Sequence, residues 1–189
     1  MSQFSLFQPT LTETGLSRFG LQMESMSACH TLQGVVHSYL QIKAEKPAPY
    51  PVIPDGTQAI FISAHGAMVG GAQSRVLNMQ LLQPGTYFGI RFYPGALRHF
   101  FDLNLSEITD QLVDTHYFPC RQFGDLHHCI YQSSTFYERV QVCENWLLPY
   151  FKPRALTPFD QALSLIGQTS GNLKVSHLAS TVGWSSRHL

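Results

Sequence analysis

The feature that most constrains the fold is a change in the spacing of apolar residues at Pro94-Gly95. Before these residues, apolar and polar side chains nearly alternate over short segments, which is typical of strands. After them, apolar residues recur every three or four positions, which is typical of helices. Because the strands precede the helices instead of alternating with them, the sequence predicts an α+β protein whose helical segment begins at about residue 95.

Five segments before Pro94 have strand character, and turn residues separate them. Short strands at this spacing favour a sandwich or a small barrel. The proline-rich stretch 47–56 is expected to be an extended connection, because proline has no N–H to give to a sheet. Residues 1 to about 33 show neither period, so we expect irregular structure or short strands that cover an edge. The predicted strands are Val36–Lys43, Thr57–Ser63, Met68–Ala72, Val76–Leu82 and Thr86–Tyr93.

The helical half contains several predicted helices. Leu97, Phe100 and Phe101 share one apolar face after the Pro94-Gly95 turn. Further along, proline at 153 ends the helical pattern, since proline cannot continue a helix. The predicted helices in this region are Glu107–Val113 with Ser106 as its cap, Gln122–Gln132, and Thr135–Tyr150.

The last 33 residues begin a new helical pattern. Thr157 is expected to cap a helix that ends at Gly171, with proline in its first turn. A second apolar face follows, formed by Val175, Leu178, Ala179 and Val182. Gly183 then provides a left-handed helix end, and Ser185 can cap another helix. Helix, glycine turn and capped helix together predict a helix-turn-helix unit.

This C-terminal stretch resembles the first helix-turn-helix of AraC-type transcription regulators. The resemblance rests on Leu178-Ala179, Gly183, Ser185 and the run Arg187-His188-Leu189. A second match lies in the β half. There Pro54-Asp55-Gly56, followed by Ala59–Ile62 and later by Gly89–Ala96, is similar to the N-terminal domain of one subgroup of the same family.

The resemblance implies a cupin-like β-barrel or sandwich that senses an effector, an α-helical segment used for dimerisation, and a DNA-binding domain of two helix-turn-helix units. We therefore expect a regulatory domain at residues 1–156 and the truncated start of a helix-turn-helix domain at 157–189. It also implies a bacterial, cytoplasmic homodimer with a small-molecule effector, and helix Thr135–Tyr150 is our expected dimer face. Because the second helix stops near Leu189, the full-length parent is expected to bind DNA, but this chain only weakly or not at all.

Candidate site residues follow from these patterns. Ser185, Ser186 and Arg187 are the predicted DNA contacts, since arginine early on a recognition helix can pair with guanine O6 and N7. The alternative for Arg187 is an ordinary surface position. Arg91 lies in an apolar strand, where a charge needs either an internal partner or a ligand such as an anionic effector. His37 and Tyr39 complete the candidate ligand-binding set.

An enzyme or a metal protein is the competing class. His127-His128-Cys129, with Cys120 nearby, suggests metal, but adjacent helix residues point about 100° apart and the spacing fits no zinc template. Known nucleophile, phosphate-loop and dinucleotide motifs are missing from the sequence. We therefore expect no catalytic residue, metal or cofactor. The alternatives are a cupin-like small-molecule binding protein or metalloenzyme with a helical tail, and a protein-interaction module.

Composition bounds these hypotheses. Hydrophobic residues make up 44% and charged residues 13%, which excludes a disordered charged chain. The formal net charge is zero, which fits a chain that is mostly sensor and equally fits a protein that never contacts DNA. Four cysteines without a CxxC pair, no signal peptide and no membrane-spanning stretch predict free thiols in the cytoplasm and no membrane contact.

Overall fold

A computed structural model describes residues 12–117 and 123–189. The described chain forms two compact units, one ending at Lys152 and the other running from Pro153 to Leu189. The predicted domain boundary near Leu156 remains a prediction. Among the helices of the described residues, none combines the length and the apolar composition needed to cross a membrane.

The α+β prediction is confirmed: antiparallel sheets are followed by helices, with one short helix before the first strand. Within the described residues, the first unit holds helix α1 at Glu13–Ser17, then eight strands, and then helices α2 and α3. The second unit holds helices α4 and α5. The strands are β1 Leu21–Met26, β2 Val36–Ala44, β3 Ala48–Val52, β4 Gln58–Ser63, β5 Gly66–Gly70, β6 Leu77–Leu81, β7 Gly85–Phe92 and β8 Leu112–Asp114. The helices are α2 Phe123–Gln132, α3 Phe136–Leu147, α4 Pro158–Gln168 and α5 Val175–Thr181.

The strands form two sheets. Six strands pair in the order β1-β2-β7-β4-β5-β8, and β3 pairs with β6. All pairs are antiparallel. The sheets do not close into a barrel. Side chains from both sheets share one hydrophobic cluster, so the sandwich alternative describes the packing.

The two faces of the large sheet contact different parts of the protein, because successive side chains along a strand point to opposite faces. On central strand β7, Phe88, Ile90 and Phe92 join the main core on the helical face. The intervening Tyr87, Gly89 and Arg91 face the two-stranded sheet. The sheet therefore separates a closed core beneath the helices from a second space between the sheets.

Helices α2 and α3 cover the core face of the large sheet. Thr135 and Glu138 form a reciprocal capping box at the start of α3. The apolar face that the sequence predicts on α3 is buried in the chain's own core: Val140 is 1% exposed and Leu147 is fully buried. These two residues are therefore unavailable to a second copy. A dimer face on α3 would have to use its outer side, where Tyr137 is exposed.

The predicted helix Glu107–Val113 with Ser106 as its cap is wrong. A 3-10 helix spans Leu105–Ile108, and Asn104 is its cap. Asp110 then takes a left-handed backbone conformation, and its carboxylate accepts hydrogen bonds from Ser74. The 3-10 helix has already ended at Ile108, where Thr109 is extended, and β8 follows as an edge strand paired with β5.

The proline-rich stretch is also different from the prediction of an extended connection. Strand β3 pairs with β6, with Pro49 opposite Gln80 and Pro51 opposite Asn78. Because the prolines are two residues apart, their missing N–H groups can both face away from β6. Strand β1 lies at the edge of the large sheet, where short strands were expected within residues 1–33.

The C-terminal unit consists of α4, α5 and a final turn. Thr157 and Asp160 form the predicted capping box of α4. Ala162, Leu178 and Val182 form its small core. Val175, predicted on the same face, is instead exposed. After α5 the chain makes a single turn, with the His188 N–H donating to the Ser185 carbonyl at 2.9 Å.

Candidate functional site

A cavity of about 460 Å³ lies between the two sheets. This volume is in the range of small-molecule sites. Its walls are mostly apolar, and they come from both sheets and the loops that join them. Apolar wall residues include Leu40, Ile42, Val52, Phe61, Leu77 and Met79.

One end of the cavity is polar and buried. Arg91 Nη2 donates to Asp55 Oδ2, and the two side chains are 5% and 9% exposed. Thr57 joins the pair: its Oγ1 accepts from Arg91 at 3.0 Å and donates to Asp55 at 2.7 Å. The Thr57 backbone N–H also donates to Asp55 at 3.0 Å. The turn at Asp55-Gly56 thus brings a carboxylate directly opposite the arginine of β7.

The charges at this end are balanced. Burial lowers the pKa of Arg91, and the Asp55 carboxylate opposes that shift. Tyr50, which lines the same cavity, has its pKa raised to about 12 by burial. Its phenol is therefore neutral at physiological pH. The polar end offers one cation, one anion and neutral hydroxyl groups, with no net charge.

Gly89 forms part of the cavity wall on the central strand. A Cβ at this position would meet only Leu40 Cβ at 3.9 Å and the Ile60 carbonyl at 4.0 Å, which are ordinary contacts. By contrast, a Cβ at Gly71 would lie 1.8 Å from the Ile108 carbonyl oxygen. A glycine inside a strand costs about 0.5–1 kcal/mol relative to alanine. At Gly89 neither a clash nor a left-handed backbone requires it, and the missing side chain leaves open space.

The opposite end of the cavity is exposed. His65 Nε2 and Gln83 Oε1 are 2.7 Å apart and link the β4–β5 turn to the β6–β7 turn. Ser63, at the end of β4, is held from behind by α2, whose His127 Nε2–H donates to the Ser63 carbonyl at 2.7 Å. A helix that packs on the core face of the sheet is therefore hydrogen-bonded to a strand that lines the cavity.

The structure separates the three predicted ligand-binding residues. Arg91 lines the cavity and is paired internally with Asp55. Tyr39 lies in the core on the helical face and is fully buried, and burial raises its pKa. His37 is half-buried, shares a hydrogen bond with Ser38 at 2.9 Å and packs edge-on against Tyr93. Burial and the nearby Arg91 charge lower the pKa of His37 to about 4.

The histidine and cysteine cluster on α2 is dispersed. His127 faces the sheet, whereas His128 and Cys129 are exposed. Cys120 lies outside the described residues. Within 12–117 and 123–189, histidine, cysteine and carboxylate side chains form no group of three that could hold a metal ion.

The predicted DNA contacts Ser185, Ser186 and Arg187 are all exposed in the final turn. Gly183, at φ 74°, ends α5 in the left-handed conformation. The Trp184 N–H donates to the Ala179 carbonyl at 2.8 Å, and the Gly183 N–H to the Ser180 carbonyl at 3.4 Å. These bonds form a Schellman motif, which sets the direction of the chain into the turn.

Sequence reasoning missed the main elements of the cavity. In the sequence, Asp55 belongs to the proline-rich stretch and to the Pro54-Asp55-Gly56 motif, and Thr57 and Gly89 belong to predicted strands, but none of them is predicted to line a site. The alternation of β7 could have placed Tyr87, Gly89 and Arg91 on one face. The pairing of Asp55 with Arg91 is a contact between residues 36 positions apart, and no local pattern predicts it.

Residues 24–114 match a family described as a domain of unknown function, DUF6597. The matched segment is just under half of the chain. It runs from β1 to β8 and so contains all eight strands except the start of β1. No curated protein matches the chain, and no solved structure matches it.

Proposed function

We propose that this chain is part of an AraC-type transcription regulator. Residues 12–152 would form the sensor domain, and residues 157–189 would belong to the DNA-binding domain. The observation that carries the proposal is the C-terminal unit: a short helix ended by Gly183 in a Schellman motif, followed by an exposed turn that carries Arg187. That arrangement suits the first helix-turn-helix of the family.

Two further observations support the proposal. The domain matched by residues 24–114 is found in AraC-like regulators. The charges are also unevenly divided: residues 153–189 contain three Lys or Arg residues and one Asp, whereas residues 1–152 contain nine basic and eleven acidic residues. A positive balance in the C-terminal unit favours contact with phosphates.

The proposed mechanism is a ligand-dependent change in DNA affinity. A small molecule between the sheets would contact β4, β5 and β7, and β4 is hydrogen-bonded to α2 through Ser63 and His127. A ligand that favours one arrangement of these elements shifts the balance between protein states. We further propose that the regulator works as a homodimer, because paired half-sites require two copies. From its resemblance to this family, we also propose that it works in the bacterial cytoplasm.

The test is selection of binding sites from random DNA with the full-length gene product. We expect a defined sequence to be enriched. Arg187→Ala should then weaken binding to that site about 10- to 100-fold and relax the preference at one base pair, as expected when a bidentate arginine contact is lost. Fluorescence anisotropy at a fixed salt concentration measures both effects.

Arg18→Ala is the matched control. Arg18 is an exposed arginine after α1 in the other unit, so its removal changes the net charge equally. This variant should bind the selected site like the wild type. Failure to enrich any sequence, or equal losses in both variants, would contradict the DNA-binding proposal.

A second candidate is a small-molecule binding protein without a role at DNA, or a metalloenzyme. The cavity of about 460 Å³ favours the small-molecule function on its own. Metal analysis of purified protein separates the enzyme from the other two functions. Stoichiometric iron, zinc or manganese would favour the enzyme, and its absence together with an enriched DNA sequence would favour the regulator.

A further inference from the structure

We propose that the cavity between the sheets binds an uncharged, mostly apolar small molecule that carries one hydroxyl or carbonyl group. This inference rests on the proposed function only in treating the ligand as an effector. The binding itself belongs to residues 12–152 and can be tested without DNA.

The apolar character follows from the walls. Leucine, isoleucine, valine, phenylalanine and methionine side chains from both sheets surround most of the space. An apolar ligand removes this surface, and its own, from water. A sugar or another densely polar ligand would instead leave most of its hydroxyl groups without partners on such walls.

The polar end of the cavity predicts that the ligand is uncharged. Arg91 and Asp55 neutralise each other, and Thr57 bridges them. A carboxylate placed there would compete with Asp55 for Arg91, and an ammonium would compete with Arg91 for Asp55. Either ion would lose its water without meeting a net opposite charge, which is costly. A neutral hydroxyl or carbonyl can accept or donate a hydrogen bond without disturbing the pair.

Gly89 independently supports the proposal that a ligand occupies this space. It lies in the middle of the central strand, between Leu40 of β2 and Phe61 of β4. Its φ is not positive, and a Cβ would meet only ordinary contacts. A glycine in a strand interior often marks close approach of a ligand. The absence of a side chain at this position leaves space for a ligand between the polar end and the exposed end of the cavity.

The experiment compares three molecules that differ only in their head group: 1-decanol, decanoate and decylamine. Isothermal titration calorimetry of the full chain at neutral pH, below the micelle concentrations, gives each affinity. We expect saturable one-to-one binding of 1-decanol, at least 10-fold tighter than binding of either ion. Equal or tighter binding of decanoate or decylamine would overturn the proposal, as would the lack of saturable 1-decanol binding.

Gly89→Leu tests the location by filling the cavity. We expect it to weaken 1-decanol binding at least 10-fold. Gly34→Leu, at an exposed loop position with nothing within 4 Å of its added Cβ, is the control and should bind like the wild type. If Gly89→Leu does not fold, Gly89→Ala replaces it and should weaken binding about 3-fold. Wild-type affinity in a folded Gly89 variant would overturn the assignment to this cavity.

The outcome is separable from the regulator proposal. Tight 1-decanol binding without an enriched DNA sequence would support the cavity and refute the regulator. An enriched DNA sequence without 1-decanol binding would support the regulator and refute the proposed ligand.

Discussion

Asp55 balances a buried positive charge at the cavity. It is the buried counter-charge of Arg91, and it also accepts two hydrogen bonds from Thr57. Desolvating two charges costs several kcal/mol each, so the pair adds little net stability over an apolar substitute. Removing one member is different, because the other charge then remains buried.

Asp55→Asn is therefore expected to lower the free energy of unfolding by about 3–5 kcal/mol. The asparagine keeps the shape of the side chain but removes the negative charge opposite Arg91. Urea unfolding followed by circular dichroism measures the change.

Asp114→Asn is the control for that measurement. Asp114 pairs with His116 on the surface, where the two side chains are 48% and 89% exposed. Surface pairs contribute at most about 1 kcal/mol. Equal losses in the two variants would show that the Arg91–Asp55 pair is not buried as described.

His37 predicts a pH dependence of stability. Its folded-state pKa of about 4 lies below the ordinary value of 6.5, chiefly because of burial. Between these values the unfolded chain binds a proton that the folded chain does not. Stability should therefore be complete above pH 6.5 and decline as the pH falls from 6.5 towards 4.

Replacing His37 isolates this contribution. In His37→Gln, the unfolding free energy should fall less steeply between pH 6.5 and 4 than in the wild type. His30→Gln changes an exposed histidine in the same unit and should keep the wild-type slope. A wild-type slope in His37→Gln would show that His37 does not carry the effect.

At the scale of elements, the sequence predicts strands and capped helices well where local signals dominate. Thr135 begins one predicted helix and Thr157 is the predicted cap of another, and both residues form capping boxes in the structure. Prediction fails where contacts between residues far apart in the sequence determine the local structure. Strand β3 exists because β6 pairs with it despite two prolines. Residues 107–113 do not continue as a helix: Thr109 is extended, and Asp110 accepts a hydrogen bond from Ser74, which is 36 positions away.

Gly183 determines how α5 ends. Its φ of 74° is costly for a residue with a side chain, by about 1–2 kcal/mol, although an added Cβ meets nothing within 4 Å. Gly183→Ala should therefore loosen the Schellman bonds and speed hydrogen exchange of the Trp184 amide about 5- to 30-fold.

Gly183→Asn should have a smaller effect, since asparagine tolerates the left-handed conformation better. Gly124→Ala, inside α2 with open space around the added Cβ, should leave Trp184 exchange unchanged. Unchanged exchange in Gly183→Ala would mean that the turn does not depend on this conformation.

At the scale of the whole molecule, the order of strands and helices is predictable, but the cavity is not. Periodicity places Arg91 in an apolar strand and raises the question of its partner. The answer requires the turn at Asp55 to meet β7, and the open space requires β3 and β6 to pair as a separate sheet. Both are tertiary contacts, which local sequence patterns do not encode. The C-terminal turn, by contrast, is predictable from the sequence, because Gly183 and Ser185 are local signals for it.

We propose a coupling between the ligand cavity and DNA binding. Its most direct test is the affinity of the full-length gene product for its selected DNA site, measured with and without saturating 1-decanol. We expect a change of at least about 5-fold in the wild type, in the range of typical coupling energies, and no change in Gly89→Leu. Equal affinities with and without bound 1-decanol in the wild type would contradict the claim.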